Sequence, residues 1–400
     1  MSIKNTIKVV ELFAGVGGFR LGLERANNKN KHSKFQVVFS NQWEPGGCRQ
    51  HASEVYVKKW GTENHHAKDV ALITKKDLPK KVDLVVGGFP CQDYSVASAL
   101  GKAKGIEGKK GVLWWELARV IEITSPKYIF LENVDRLLSS PFHQKGRDFA
   151  VMLAKLSDLG YAVEWRVINA AEYGYPQKRK RIFIFGVKKR AKLSKEIRGN
   201  PVPWLLNEGV FAKAFPQSLK VNYSVEQFFL AGSLSAISSD FGVGNKVKPF
   251  RNSGLIIDRV VYQANTTSNY KGSYSYLSDI VQGDEVSPEF LIFNHQIEDW
   301  YKVKKAKRVP RITSDGFEYL YSEGEMKFPD PLNAPSRTII TSEGGVSPSR
   351  IRHVIMTPGG TLRRLTPIEL ERLNGFDDDH TLIPGISSNK RAFLMGNAVS

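Results

Sequence analysis

The chain has 400 residues and a formal net charge of +18, from 58 Lys and Arg against 40 Asp and Glu. This length suits one large domain or two ordinary ones, and no stretch reaches the roughly 20 apolar residues of a membrane span. Two cysteines cannot build a disulfide framework or an all-cysteine zinc site, which fits a reducing cytoplasm, and no metal centre is expected.

The first half alternates strand and helix signals. "IKVVELF" (7–13) is a short β-rich run that ends in glycines, and "FRLGLERA" has helical spacing. A polar loop leads to a second strand, "FQVVFS" (35–40). "VDLVVGG" (82–88) is a third, and "VLWWELARVIEIT" (112–124) carries apolar residues on a helical period. "YIFLEN" (128–133) is a strand, "DFAVMLAKLSDLG" (148–160) a helix with a glycine stop, and "YAVEWRVI" and "RIFIFGV" close the series. Strands separated by helices predict an α/β, doubly wound, mostly parallel sheet. The pattern breaks near residue 188. Residues 188–334 mix short β-like runs with Gly, Ser, Asn and Pro and predict a second, smaller, irregular domain. Helical order returns in "TLRRLTPIELERLNGF" (361–376), where Thr366 can cap and Pro367 can start a helix. The expected division is therefore 1–187, 188–334 and a return segment, 335–400.

The N-terminus, "MSIKNTIKVVELF", lacks the apolar region and cleavage site of a signal peptide. The positive charge favours a polyanion such as nucleic acid, although a basic enzyme without such a partner has the same composition. "QKRKR" (177–181), "KKRAK" (188–192) and "KVKKAKR" (302–308) concentrate it. Lys304, Lys305 and Lys307 are candidates for phosphate contacts, or else form a solvated face.

Several short stretches carry possible chemistry. "ELFAGVGGF" puts Gly15, Gly17 and Gly18 between the first strand and the first helix, where a ligand can approach the backbone. A tight turn with no ligand reads the same way. The last glycine of the dinucleotide fingerprint is missing, which tilts from a nicotinamide cofactor toward another adenosine-containing ligand. Gln42, Trp43 and Glu44 follow the second strand, where ribose hydroxyls are usually met. "GGFPCQDYS" (87–95) sets Cys91 just beyond a central strand, as a nucleophile or as a buried inert thiol. Cys48 reads as inert or as an exposed bystander. Glu132 ends the next strand, as an acid or hydrogen-bond partner or as a solvated carboxylate. In "QKRKR", strand alternation sets Arg179 and Arg181 on one face and Lys178 and Lys180 on the other.

Taken in order, "FAGVGG", "GGFPCQ", "ENV", "QKRKR", "RLTPIELERLNGF" and "GNAV" resemble the motifs of the cytosine-5 DNA methyltransferase family, across 9–187 and 335–399. A zinc deaminase would need a cysteine where Tyr94 stands and a His-x-Glu, which is absent. A nicotinamide oxidoreductase leaves "PCQ", "ENV" and the charge unexplained. The tRNA-methylating branch of the family usually has a short recognition region, whereas 188–334 is long.

The resemblance implies a Rossmann-like methyltransferase sheet and a flipped cytosine attacked at C6 by Cys91. It implies that Glu132 holds N3 and the exocyclic amine, and that Arg181 and Arg179 hold the O2 side. The methyl donor is S-adenosylmethionine. Its pocket falls on Phe13, Gly15, Val16, Gly18, Trp43, Asp69, Val70, Pro90, Leu113, Asn397 and Ala398. Many relatives grip the ribose with a glutamate where this chain has Gln42, so either Gln42 or Glu44 serves. Residues 92–110 match a mobile loop that closes on DNA, and 188–334 match the target-recognition domain. The family usually continues into a helix after "GNAV", which closes the cofactor pocket. The resemblance further implies a cytoplasmic modification enzyme of a restriction-modification system, monomeric, acting on double-stranded DNA without a membrane or an obligate protein partner.

Overall fold

The computed structural model describes residues 5–29, 33–89, 113–141, 143–312 and 318–399. The chain divides into two compact units. The first comprises residues up to Tyr173, Lys180–Gly272 and Val399, and the second Gly174–Arg179 and Ser273–Ala398.

The first unit is built on one ten-stranded sheet. Its parallel half consists of β1 (Asn5–Leu12), β2 (Ser33–Asn41), β3 (His65–His66), β4 (Leu84–Gly88) and β5 (Tyr128–Val134), in the order β3-β2-β1-β4-β5. Helices α1 (Gly18–Lys29), α2 (His51–Trp60), α3 (Leu113–Thr124) and α4 (Arg147–Asp158) accompany these strands. Strand alternation decides what each face buries. Val10, Leu12, Val85, Ile129 and Leu131 point into a core shared with Trp114, Leu117 and Ile121 of α3 and Phe149 and Leu153 of α4. Val9, Leu84 and Val86 point the other way, against Phe19 of α1. Fully burying one Val or Leu side chain is worth about 1.5–3 kcal/mol. The switch point falls between β2 and β4, on either side of β1, so a ligand crevice opens at the carboxyl ends of β1 and β4.

Beyond β5 the sheet turns antiparallel. β6 (Tyr161–Asn169) and β7 (Lys180–Lys188) pair with each other, and β7 pairs with β5. After β8 (Gln217–Leu219) and β9 (Glu226–Phe229), β10 (Ser253–Ile257) and β11 (Val260–Ala264) form a hairpin. β10 pairs with β6, and β9 forms the outer edge. β12 (Thr266–Ser268) pairs with β8 in a separate ribbon. The expected break at residue 188 is therefore not where the compact units divide. Residues 188–272 extend the sheet, and Leu255 and Ile256 are fully buried in it. The α/β alternation ends there because antiparallel strands need no crossover helix.

In the second unit, α5 (Asn294–Lys304) precedes the ribbon β13 (Lys307–Ile312) and β14 (Glu318–Glu323). A second small ribbon, β15 (Val354–Met356) and β16 (Leu362–Arg364), precedes α6 (Pro367–Leu373) and α7 (Ser388–Asn397). Ile292, Trp300, Val354 and Leu362 form a core. Thr366 caps α6 in a reciprocal box. Its hydroxyl accepts from the Glu369 N–H at 3.3 Å, and Glu369 accepts from the Thr366 N–H at 2.8 Å, with Pro367 in the first turn.

Candidate active site

The carboxyl ends of β4 and β5 carry the acidic candidate. Glu132 is opposite Gly88 in the parallel register and is only 7% exposed. Arg181, at the start of β7, lies opposite Val134 and reaches back to Glu132. Its Nε donates to the Glu132 Oε1 at 2.9 Å. A charge-assisted bond of this kind fixes the carboxylate in the crevice wall. Gly88 leaves room for it, since a Cβ there would stand 3.2 Å from Glu132 Oε2 and 2.7 Å from a Val399 methyl. Next along β5, the buried Asn133 donates from Nδ2 to the Phe89 carbonyl at 2.9 Å. That bond ties the end of β5 to the last described residue before Pro90 and Cys91, both of which lie outside the described residues. The loop 92–110 lies outside them as well.

The glycine turn after β1 is held in left-handed backbone. Phe13, Gly15 and Gly17 have φ of 53, 55 and 88°. For a bulky residue such as Phe13 this costs about 1–3 kcal/mol, an expense found mostly at functional sites. Gly17 and Gly18 are required by close approach, because a Cβ would meet the Trp60 ring at 2.1 Å and the Val399 carbonyl oxygen at 2.3 Å respectively. Gly15, by contrast, faces open space. Its N–H donates to the Gln42 side-chain oxygen at 2.7 Å, so the end of β2 holds the turn. Trp43 beside it is 39% exposed. Glu44 accepts from the Ala52 N–H at 2.9 Å at the start of α2. Asp69 caps the turn Val70–Leu72 by accepting from the Ala71 N–H at 3.0 Å, and Val70 and Val16 are buried. Leu113 opens α3 and packs partly buried against the main core. These positions fit an adenosine-bearing cofactor: an open glycine turn, an exposed indole and polar groups at the strand ends.

In the second unit, Asn397 ends α7, exposed, and Ala398 follows it, buried. Arg179, expected on the O2 side of the base, belongs to the second unit. It is 3% exposed, and its Nη2 donates to the carbonyl of Ala398 at 2.6 Å, so it secures the "GNAV" strand of chain. Lys178 and Lys180 are exposed on either side of it, as alternation requires. Lys304 is also misplaced by the reading from charge. It is 1% exposed and donates to the carbonyls of Arg350 and Arg352 at 2.8 and 2.5 Å. Cys48 is free and exposed.

Three buried polar residues escaped the sequence reading. Besides Asn133, the fully buried Glu11 on β1 accepts from the Tyr56 hydroxyl at 2.7 Å and the Arg20 N–H at 3.3 Å. Burial pushes its carboxyl up to about 7, against the opposing pull of the Tyr56 hydroxyl and the charge of Arg20. A charged residue inside the apolar run "KVVELF" was the available signal. Gln177, buried in the second unit, donates to the Leu373 carbonyl and the Asn374 side chain, both at 3.0 Å.

Comparison with known proteins identifies the family. A family model described as C-5 cytosine-specific DNA methylase matches residues 7–400. The chain is 45% identical to Type II methyltransferase M.Sau3AI of Staphylococcus aureus, over 99% of this chain and 93% of that protein. It is 27% identical to Type II methyltransferase M.NlaIV of Neisseria lactamica, over 98% and 96%. Among solved structures, a variant of Spodoptera frugiperda DNMT2 superposes with a TM-score of 0.60 at 13% identity, over 98% of this chain and 96% of that one, which supports the shared Rossmann-like fold. With a glycine turn at one strand end, a paired glutamate at another and a family match over nearly the whole length, the chain belongs to the C-5 cytosine-specific DNA methylase family.

Proposed function

We propose that this protein methylates C5 of a flipped cytosine within a specific duplex DNA sequence, with S-adenosylmethionine as donor, as the cytoplasmic modification enzyme of a restriction-modification system. The observation that carries the site assignment is the Glu132–Arg181 pair, buried at the ends of β5 and β7 beside the end of β4. In this reading the Cys91 thiolate adds to C6. Glu132 binds N3 and the exocyclic amine while Arg181 orients Glu132 and meets O2, so charge spreads over a ring that is otherwise a poor nucleophile at C5. Loss of the C5 proton and departure of the thiol restore the aromatic ring. S-adenosylmethionine supplies an electrophilic methyl on a sulfonium. Phe13, Gly15, Val16, Gly18, Gln42, Trp43, Asp69, Val70, Pro90, Leu113, Asn397 and Ala398 would hold it. Either Gln42 or Glu44 would meet the ribose; the Gln42 side-chain oxygen already accepts from the Gly15 N–H and Glu44 from the Ala52 N–H. The enzyme acts as a monomer, and residues 188–334 serve target recognition.

The test is methyl transfer from labelled donor to duplex DNA and to tRNA, with bisulfite mapping of the DNA. The expected result is methylation at one recurring DNA sequence, together with a covalent adduct on 5-fluorocytosine duplexes that Cys91→Ser abolishes. Methylation of tRNA alone, or an active Cys91→Ser enzyme, overturns the reading.

A further inference from the structure

Against the glycine turn lies a closed triangle of polar groups that the proposed chemistry does not use. Glu11, two residues before Phe13, is fully buried. Its Oε2 accepts from the Tyr56 hydroxyl of α2 at 2.7 Å, and its Oε1 accepts from the Arg20 N–H at 3.3 Å. That N–H belongs to the first turn of α1, where a helix has no partner of its own for it. Arg20 closes the third side, since its Nη1 donates to the Tyr56 oxygen at 3.0 Å. Its guanidinium also lies over the Trp60 ring, with 5.2 Å from carbon to centroid, and that ring is what a Cβ on Gly17 would strike. The triangle thus ties together the strand before the turn, the helix after it and α2. Stability does not explain the buried carboxyl. With its pKa raised on folding, Glu11 weakens the fold as it ionises.

We infer that Glu11 is a positioning residue for the donor site, and that its ionised form holds the turn 13–18 in the shape that binds S-adenosylmethionine. The inference rests on the proposed donor and says what controls its binding. Donors and acceptors decide the matter. A carboxylate has only acceptors, and two donors converge on this one. Protonation adds a third hydrogen, for which the triangle offers only the Tyr56 oxygen. The phenol hydrogen must then turn away, and the triangle opens. Burial brings this change into the neutral range, pushing the Glu11 carboxyl up to about 7 against the hydrogen bond from Tyr56 and the charge of Arg20. Arg20 and Glu24 face Glu11 from α1, with Glu24 bound to Arg20 at 3.5 Å, and Tyr56 faces it from α2. Its register neighbours on β2 and β4 are Ser40 and Val86, which do not titrate. Behind Tyr56, His65 of β3 stacks on the ring at 4.6 Å. Burial lowers its pKa to about 4, and its two ring nitrogens meet the Ser40 and Ser53 hydroxyls at 2.9 and 2.7 Å, so it stays neutral while Glu11 changes. A donor that prefers the ionised form lowers the Glu11 pKa in the complex. Binding then releases a proton, and affinity rises as pH climbs toward about 7 and levels off above it.

The experiment titrates S-adenosylmethionine into the full chain by calorimetry from about pH 5.5 to about pH 8, in two buffers of different ionisation enthalpy so that released protons are counted. For the parent, affinity should rise by about 10-fold across this range, with a proton released on binding near neutrality. Glu11→Gln keeps the shape and cannot ionise. It should match the parent at the acid end, bind about 10-fold more weakly at the alkaline end, and melt higher than the parent there. Weaker binding by a more stable protein is an outcome that a merely structural role does not give. Tyr56→Phe removes one donor to the carboxylate and should move the rise to higher pH. The donor's own groups titrate alike with every variant, so differences between the curves belong to the protein. A parent that binds no donor at any pH overturns the donor reading and this inference with it. A parent that binds, with a pH profile that Glu11→Gln leaves unchanged, overturns the inference alone. So does a Tyr56→Phe profile that coincides with the parent's.

Discussion

Asn133→Ala probes the coupling between the two strand ends that flank the candidate nucleophile. Asn133 is 2% exposed, and its Nδ2 donates to the Phe89 carbonyl at 2.9 Å, while its Oδ1 accepts from the Val134 N–H at 2.8 Å. Truncation leaves the Phe89 carbonyl in a dry site without this donor, a loss of about 1–3 kcal/mol. A unit of this size shifts in Tm by about 2–4 °C per kcal/mol, so scanning calorimetry should show a fall of roughly 2–12 °C. A stability of about 5–15 kcal/mol would still keep nearly every molecule folded at 25 °C. Any slowing of catalysis at that temperature must then come from geometry. Phe89 stands two residues before Cys91, and displacement of a reacting group by about 1 Å can cost about 100-fold. Single-turnover methylation should therefore slow by that order, with S-adenosylmethionine affinity unchanged. A variant that melts within 1 °C of the parent and turns over at the parental rate would refute the tether.

Three other outcomes follow from buried geometry. Gly88→Ala puts a methyl 2.7 Å from Val399 and 3.2 Å from Glu132 Oε2, and overpacking of this kind costs about 1–3 kcal/mol; kcat should fall while donor affinity, measured by calorimetry, holds. Glu11 has its folded pKa raised from 4.5 to about 7, so its contribution is absent below about pH 4.5, grows more destabilising as pH rises toward 7 and is constant above it. Glu11→Gln should gain on the parent by up to about 3 kcal/mol at pH 8 and by little at pH 4, and an equal Tm difference at both pH values would disprove the shift. Lys304→Ala should lower Tm and leave the salt dependence of DNA binding unaltered, because its ammonium serves the Arg350 and Arg352 carbonyls; a salt slope reduced by about one would return it to the phosphate-binding set.

What could be read in the chain beforehand was local. The strands of the parallel half announce themselves by apolar runs, and α6 by Thr366, Pro367 and Glu369 within four positions. The β10–β11 hairpin escaped because its turn has no glycine or asparagine. Asp258 and Arg259 occupy it at φ 46 and 68°, a left-handed pair of the kind that a two-residue hairpin demands. Arg259 is secured from about a hundred residues away. Its guanidinium takes both oxygens of Asp158 at 2.7 and 2.6 Å, and its N–H donates to Ser157 at 3.0 Å. No window of sequence contains that compensation.

Burial separates the basic residues in the same way. Composition counts Lys304, Arg179 and Arg311 alike, yet their surroundings give them different work. Lys304 is dehydrated beneath Trp300, and burial lowers its pKa to about 8. Its two carbonyl partners come from 46 and 48 positions downstream. Arg179 is buried, with Nη2 donating to a carbonyl 219 positions away. Arg311 keeps its guanidinium in solvent, stacked on a neighbour within one ribbon. A cation can meet a phosphate or a base only if the fold has left its donors facing water. The +18 charge therefore overstates the electrostatic attraction available to DNA. The number of phosphates that the enzyme neutralises, read from the salt dependence of binding, should track the exposed cations and not the total.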